Sequence, residues 1–159
     1  MRYAQIRRLD ISNGDGVGAS IFVQGCNIHC KGCFNQSTWD FCGGKEYNKE
    51  AEDKLKACLQ NPNIVRFSIL GGEPLCKQNR TGVLSIIKTA RELRPDVKIY
   101  CWTGNTLENL KAENDPVLEE IFNSIDILID GPYKESLRDL NLKFRGSSNQ
   151  RILYHGKDF

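Results

Sequence analysis

What this sequence lacks narrows its class before any motif is read. No apolar run approaches the roughly 20 residues that a bilayer-spanning helix needs. The opening residues, Met1-Arg2-Tyr3-Ala4-Gln5-Ile6-Arg7-Arg8, hold nothing like the apolar stretch of a secretory signal. Neither sign of charge dominates: 22 Lys and Arg stand against 20 Asp and Glu, a formal net charge of +2. So near a balance does not advertise nucleic acid as a partner, and any basic surface must be local. No internal repeat, low-complexity tract or linker rich in Pro or Ser divides the 159 residues, so 1–159 reads as one domain. At 40% hydrophobic and 26% charged residues the composition is that of a soluble globular chain. A chain of this size buries roughly two-thirds of its unfolded surface. Membrane, secreted and collagen-like classes are set aside, and the cytoplasm is the expected compartment.

Cysteine is what the sequence has in surplus. Seven is an odd number, in a chain without an export signal, and a disulfide scaffold fits that poorly. Cys26, Cys30 and Cys33 fall within eight positions, whereas Cys42, Cys58, Cys76 and Cys101 are scattered. Metal ligation by the cluster is therefore the first expectation.

The remaining pattern alternates strands with helices. Ala19–Gln24 reads as a strand after the turn-rich Asn13-Gly14-Asp15-Gly16-Val17-Gly18, and it runs into Gly25-Cys26. Asn48 caps a helix over about Lys49–Gln60, with Ala51, Leu55, Cys58 and Leu59 on one face. Ile64–Leu70, Val97–Trp102 and Ile125–Ile129 are three further strands, ending in Gly71-Gly72-Glu73-Pro74, Thr103-Gly104 and Asp130-Gly131-Pro132. Val83, Ile86, Ile87, Ala90 and Leu93 mark a helix that Pro95 closes. Helical spacing returns at Leu107 and Leu110, then at Val117, Leu118, Ile121 and Phe122. Strands separated by helices predict a mostly parallel sheet, with ligand sites at the carboxyl ends of its strands. Four or five such units are too few for a closed eightfold barrel, so the expectation is an α/β fold with an open, partial (β/α) barrel.

Cys26-x3-Cys30-x2-Cys33 sets three soft thiolates on one loop after a strand. A structural zinc ion would take a fourth ligand, with His29 or Cys42 in reach by sequence. An iron–sulfur cluster held by three cysteines would keep one iron open for a further ligand. Spacing alone leaves zinc and iron–sulfur equally open.

The order of motifs separates them. A C-x3-C-x2-C loop after the first strand, then Gly71-Gly72-Glu73-Pro74 after the second, resembles the radical S-adenosylmethionine superfamily. More narrowly, Phe22-x-Gln24-Gly25-Cys26-x3-Cys30-x-Gly32-Cys33-x-Asn35-x3-Trp39 is similar to the activating proteins of anaerobic ribonucleoside-triphosphate reductase. Asn13-Gly14-Asp15-Gly16, Trp102-Thr103-Gly104, Asp130-Gly131-Pro132 and Arg145–Arg151 extend the likeness over nearly the whole chain.

That resemblance implies a [4Fe–4S] cluster on Cys26, Cys30 and Cys33 that reductively cleaves S-adenosylmethionine. The resulting 5′-deoxyadenosyl radical would take a hydrogen from one glycine of the reductase, leaving a glycyl radical. It also implies a low-potential electron donor. Gly71, Gly72 and Glu73 would meet the cofactor's methionyl end, with Glu73 at its ammonium, and a side chain at Gly72 would obstruct that approach while sparing the cluster. Gly32, Cys33 and Phe34 would reach the adenine. Many superfamily members carry an aromatic directly before the third cysteine, whereas here Gly32 stands there and Phe34 follows Cys33.

Thr103 and Asp130 stand where a ribose or amine would be held, although either also suits a turn or helix cap. Arg145 and Arg151 are candidates for docking the reductase, set against a plain solvated surface. The Asn13–Gly16 segment reads as a turn facing the partner. Cys58 and Cys101 read as small hydrophobes, and His29 and His155 receive no role. Two other functions remain in view. One is a zinc-binding interaction module using Cys26, Cys30, Cys33 and Cys42; the other is an activase of a different glycyl-radical enzyme, such as pyruvate formate-lyase.

Overall fold

The computed structural model describes all residues from Met1 to Phe159. Its strands are β1 (Arg2–Asp10), β2 (Gly18–Val23), β3 (Lys45–Glu46), β4 (Arg66–Gly71), β5 (Lys98–Trp102), β6 (Ile127–Asp130) and β7 (Arg151–Tyr154). They form one sheet in the order β3-β1-β2-β4-β5-β6-β7. The four helices are α1 (Lys49–Leu59), α2 (Arg80–Leu93), α3 (Leu107–Ala112) and α4 (Pro116–Phe122).

The four anticipated strands are β2, β4, β5 and β6, and they pair in parallel as neighbours. The expected predominance of parallel pairing does not extend to the whole sheet. β1 pairs antiparallel with β2 and with β3, and β7 pairs antiparallel with β6, so half of the six pairings are antiparallel. The sheet is mixed and open, with β3 at one edge and β7 at the other. No helix is long and apolar enough to cross a membrane.

Helix boundaries follow local chemistry. The Asn48 side chain accepts the Ala51 N–H at 3.1 Å and starts α1. Thr106 and Asp115 do the same for α3 and α4, with Pro116 in the first turn of α4, where a missing N–H costs nothing. All four helices press onto the same face of the sheet. Leu55, Ile87, Leu110 and Ile121 meet Ile21, Ile69, Ile99 and Leu128 in one continuous core.

Side chains alternate along a strand, so the intervening residues face the other way. On β4 these are Arg66, Ser68 and Leu70, and on β5 they are Tyr100 and Trp102. No helix covers this second face. At its amino end lies a buried polar knot. Arg66 and Asp10 have no exposed side-chain surface and lie 3.1 Å apart. Ser20 donates to Asp10 at 2.7 Å, and Arg66 donates to Ser68 at 2.7 Å. Burial alone would push the Asp10 carboxyl up. The Ser20 hydroxyl, the Asn13 amide and the backbone N–H groups of Ser12 and Asn13 instead hold it well below the usual range. The Asn13–Gly16 turn wraps this knot: an added Cβ at Gly14 would lie 2.7 Å from Arg66 Cδ. Gly14 makes room there for the buried arginine, as Gly18 does on the next strand.

Candidate functional site

The carboxyl ends of β2, β4, β5 and β6 open onto one cavity of about 500 Å3 on the helix-free face. Its wall includes Cys26, Cys30 and Cys33 from the loop after β2, Gly71, Gly72 and Glu73 after β4, Thr103 and Gly104 after β5, and Gly131 after β6.

The cysteine loop is tied back on itself. Gly25 N–H donates to Thr38 O at 2.7 Å, and Cys26 N–H donates to Trp39 O at 3.0 Å. The buried Gln24 amide donates to the carbonyls of Ser37 and Asp40. A turn closed by Cys33 N–H on Cys30 O, at 3.1 Å, keeps these two cysteines together. Cys26 is buried, Cys30 and Cys33 half-buried, and all three are free thiols. Ile28 N–H points at Cys26 Sγ at 3.4 Å, and Asn35 N–H points at Cys33 Sγ at 3.3 Å. Donors aimed at sulfur suit thiolates bearing metal. Burial pushes the Cys26 and Cys30 thiols up, so binding a metal there would release protons.

The donor set can be set beside both metal readings. No group of three or more His, Cys, Asp or Glu side chains is gathered closely enough for a single ion. Cys42, proposed as a fourth zinc ligand, is exposed and lies outside the cavity wall. Three soft thiols spread along one wall fit a multi-iron cluster, whose thiolates bind separate irons. Cys58, Cys76 and Cys101 are buried elsewhere.

Gly71 and Gly72 are needed for a reason other than cofactor approach. Gly71 has φ +113°, and an added Cβ would sit 2.7 Å from the Val23 backbone. At Gly72 the Cβ would meet Gly25 O at 2.3 Å and Thr38 O at 3.0 Å. Both glycines let β4 lie against the root of the cysteine loop. A side chain at Gly72, expected from the sequence to spare the cluster, would fall on the backbone that carries Cys26.

Glu73 is 1% exposed and forms no ion pair within 4 Å. Its Oε1 accepts from Thr103 Oγ1 at 2.8 Å and Leu75 N–H at 3.0 Å, and its Oε2 accepts from Gly104 N–H at 2.7 Å. Burial pushes its pKa up against these donors. Glu73 thus joins the ends of β4 and β5 and presents a buried carboxylate at the cavity. Thr103, expected as a ribose or amine contact, already donates to Glu73 and accepts from Asn105 N–H at 3.1 Å. Gly32 adopts φ +74° beside Glu135, outside the wall, whereas the exposed Phe34 lines the cavity against Tyr133, with ring centroids 5.1 Å apart.

Asp130 and Arg151 are placed together rather than in the cavity. Asp130 is fully buried, accepts Arg151 Nε at 2.9 Å and caps α3 through Leu107 N–H at 2.8 Å. Arg151 also grips Glu108, at 2.7 Å. Neither residue lines the cavity: Asp130, expected as a ligand contact, is held by Arg151 and Leu107, and Arg151, expected at the docking surface, is half exposed and pairs with Asp130 and Glu108. Arg145 does line it, donating Nη1 to Gln150 O at 2.7 Å while its buried Nε finds no partner. Sequence reasoning missed Trp39, Tyr133, Phe144 and Gln150 as parts of the wall. Of these, Trp39, spaced six residues beyond Cys33, and Gln150, within Arg145–Arg151, carried a signal in the quoted motifs.

Comparison with known proteins finds relatives over nearly the whole chain. The family model described as "4Fe-4S single cluster domain" matches residues 12–153. The anaerobic ribonucleoside-triphosphate reductase-activating protein of Vibrio cholerae is 40% identical over 154 residues, 96% of this chain and 97% of that protein. Proteins of the same name from Salmonella typhi and Escherichia coli K12 are 39% and 37% identical over 157 residues, 98% of this chain and 99% of each relative.

Proposed function

This chain belongs to the family of anaerobic ribonucleoside-triphosphate reductase-activating proteins, and on that premise we propose that it activates such a reductase through S-adenosylmethionine. In this reading Cys26, Cys30 and Cys33 hold a [4Fe–4S] cluster, and the cofactor lies across the ends of β4 and β5. Held there and reduced by a low-potential donor, the cluster would supply the electron for cleaving S-adenosylmethionine to methionine, and the 5′-deoxyadenosyl group would take a hydrogen from a glycine of the reductase. The fold class that goes with this reading is the partial (β/α) barrel of radical S-adenosylmethionine enzymes, with the helix-free face as its interior.

The observation that carries the proposal is one cavity bounded by three thiols and by a buried carboxylate without a counter-ion. Glu73 has three hydrogen-bond donors but no ion pair, the nearby Arg80 being held by Glu113 and Asp115, and the ammonium of a methionyl group would supply one. Thr103 then acts by fixing Glu73. Phe34 and Tyr133 give the wall an aromatic surface on which an adenine can lie. A cavity of about 500 Å3 is in the size range of small-ligand sites. Half-buried Cys30 and Cys33 leave the loop within reach of a low-potential electron donor. The mouth carries Phe34, 59% exposed, and Leu140, 75% exposed, apolar surface that a docked reductase segment would cover. Arg145, inside the wall, is placed to hold that segment from within.

Two measurements test the reading. After anaerobic reconstitution, Cys26→Ala, Cys30→Ala and Cys33→Ala should each lose iron, whereas Cys42→Ala should retain the wild-type amount. Reduced protein with S-adenosylmethionine and the cognate reductase should give a glycyl radical by electron paramagnetic resonance, and Arg145→Ala should lower its yield at unchanged iron content. Full loading in Cys30→Ala would overturn the ligand assignment. Cofactor cleavage without a radical in the reductase would overturn the partner and turn attention to another glycyl-radical enzyme.

A further inference from the structure

The indole of Trp39 has a buried Nε1 with no hydrogen-bond partner in the chain. The other indole, Trp102, donates to Phe144 O at 2.7 Å, so the orphaned donor is particular to position 39. Trp39 is fastened to the cysteine loop twice. Its carbonyl accepts Cys26 N–H at 3.0 Å, and its ring stacks on His29 with centroids 4.6 Å apart and planes inclined by 21°. It also lines the cavity shared with Cys26, Cys30 and Cys33. A buried N–H that forgoes a partner is costly, and a group bound on the cysteine loop beside Trp39 would supply one.

We propose that Trp39 Nε1–H donates a hydrogen bond to a sulfur of the bound cluster and so raises its reduction potential. This rests on the reading that Cys26, Cys30 and Cys33 hold the cluster. The attachment of Trp39 to the loop favours the cluster as acceptor over the S-adenosylmethionine carboxylate, because both of its anchors, Cys26 and His29, belong to the loop. Reduction adds negative charge to the sulfurs, and a donor aimed at them stabilises the reduced state more than the oxidised one. Trp39 is thus a positioning residue that tunes the cluster, in a wall where two backbone donors already face Cys26 and Cys33 sulfur.

The test compares wild type with Trp39→Phe, which keeps the aromatic ring and removes the N–H. At matched iron content, an anaerobic redox titration followed by electron paramagnetic resonance should give a lower midpoint potential for the variant, without added cofactor. An unchanged potential, or a shift seen only when S-adenosylmethionine is present, would overturn the proposal. Should Trp39→Phe fail to load iron, the wild-type ring reports directly. With tryptophan labelled by 15N at the indole, in a Trp102→Phe background, electron–nuclear double resonance of the reduced cluster should show a 15N coupling; its absence would overturn the assignment. Iron content in the cysteine variants tests the ligand reading separately, so the two failures are distinguishable.

Discussion

Replacing Gly72 by Ala adds one methyl group at the most crowded point between β4 and the cysteine loop. The new Cβ would lie 2.3 Å from Gly25 O, 2.8 Å from its carbon and 3.0 Å from Thr38 O, where ordinary contact begins at 3.4 Å. Relief requires about 1 Å of backbone movement, because no flexible side chain is available to yield. Three hydrogen bonds converge on Gly25: Glu73 N–H and Asn79 Nδ2 donate to its oxygen at 2.8 and 3.3 Å, and its N–H donates to Thr38 O at 2.7 Å. At a net contribution of about 1 kcal/mol each, their loss costs about 3 kcal/mol. Overpacking adds about 1–3 kcal/mol, and the stiffer unfolded chain returns up to about 1 kcal/mol. The expected destabilisation is about 3–6 kcal/mol, a large part of the stability of an ordinary domain.

Gly104→Ala is the matched comparison. Its Cβ also meets the cysteine loop, 2.6 Å from Ile28, but the atom met is the terminal Cδ1 of a side chain. A rotamer change absorbs that contact, and the cost should stay under about 1 kcal/mol. Urea unfolding followed by tryptophan fluorescence, with iron per chain measured on the same samples, gives both readouts. Gly72→Ala should lose stability and iron together, while Gly104→Ala should keep both. A Gly72→Ala protein with the wild-type urea midpoint and full iron would refute this packing argument.

Arg151→Ala should lower stability by about 2 kcal/mol in urea, because it leaves the buried Asp130 carboxylate with only the Leu107 N–H. At matched folded protein its glycyl-radical yield should equal that of wild type, unlike Arg145→Ala; a specific loss of yield would restore Arg151 to docking. Ser20→Ala removes a hydroxyl donor that holds Asp10 below the usual carboxylate range, and should cost about 1.5–3 kcal/mol at pH 7. Asp10 contributes stability above its unfolded pKa of about 4 and loses it as pH falls through the lower folded value. The variant, with Asp10 held less far below that value, should lose less stability on acidification than wild type, which unfolding curves at pH 7 and about pH 3 would reveal.

The parallel centre of the sheet and its helices were legible because each repeats an elementary signal. Phe67-Ser68-Ile69-Leu70 is an apolar run stopped by glycine, and Asn48 precedes a helical stripe. The outer strands were not legible. β1 interleaves Tyr3 and Ile6 with Arg2, Gln5, Arg7 and Arg8, and β7 has only four residues, none of them fully buried. The cysteines and Gly71-Gly72-Glu73 announced a shared site, but local sequence could not say what each polar residue touches. Asp130 meets Arg151 across 21 positions, and Glu73 meets Thr103 across 30. Arg66 shows the limit most clearly: nothing in the sequence singles it out, yet it is fully buried, because its partner Asp10 lies 56 positions earlier.

The pairing of β2 with β4 has a consequence for how the protein acquires its metal. Gly18 pairs with Arg66, 48 positions later in the chain, and the cysteine loop lies wholly inside that closure. Bringing two such distant segments together is slow relative to forming a local helix or hairpin. Until β4 docks, Gly72 and Glu73 cannot brace Gly25, and the three thiols hang in an unclosed loop during synthesis. Oxygen and stray metals then have their widest access to them. Folding and cluster assembly consequently compete with oxidation on the same clock, and slowing β4 docking by a substitution far from any cysteine should reduce the yield of metal-loaded protein.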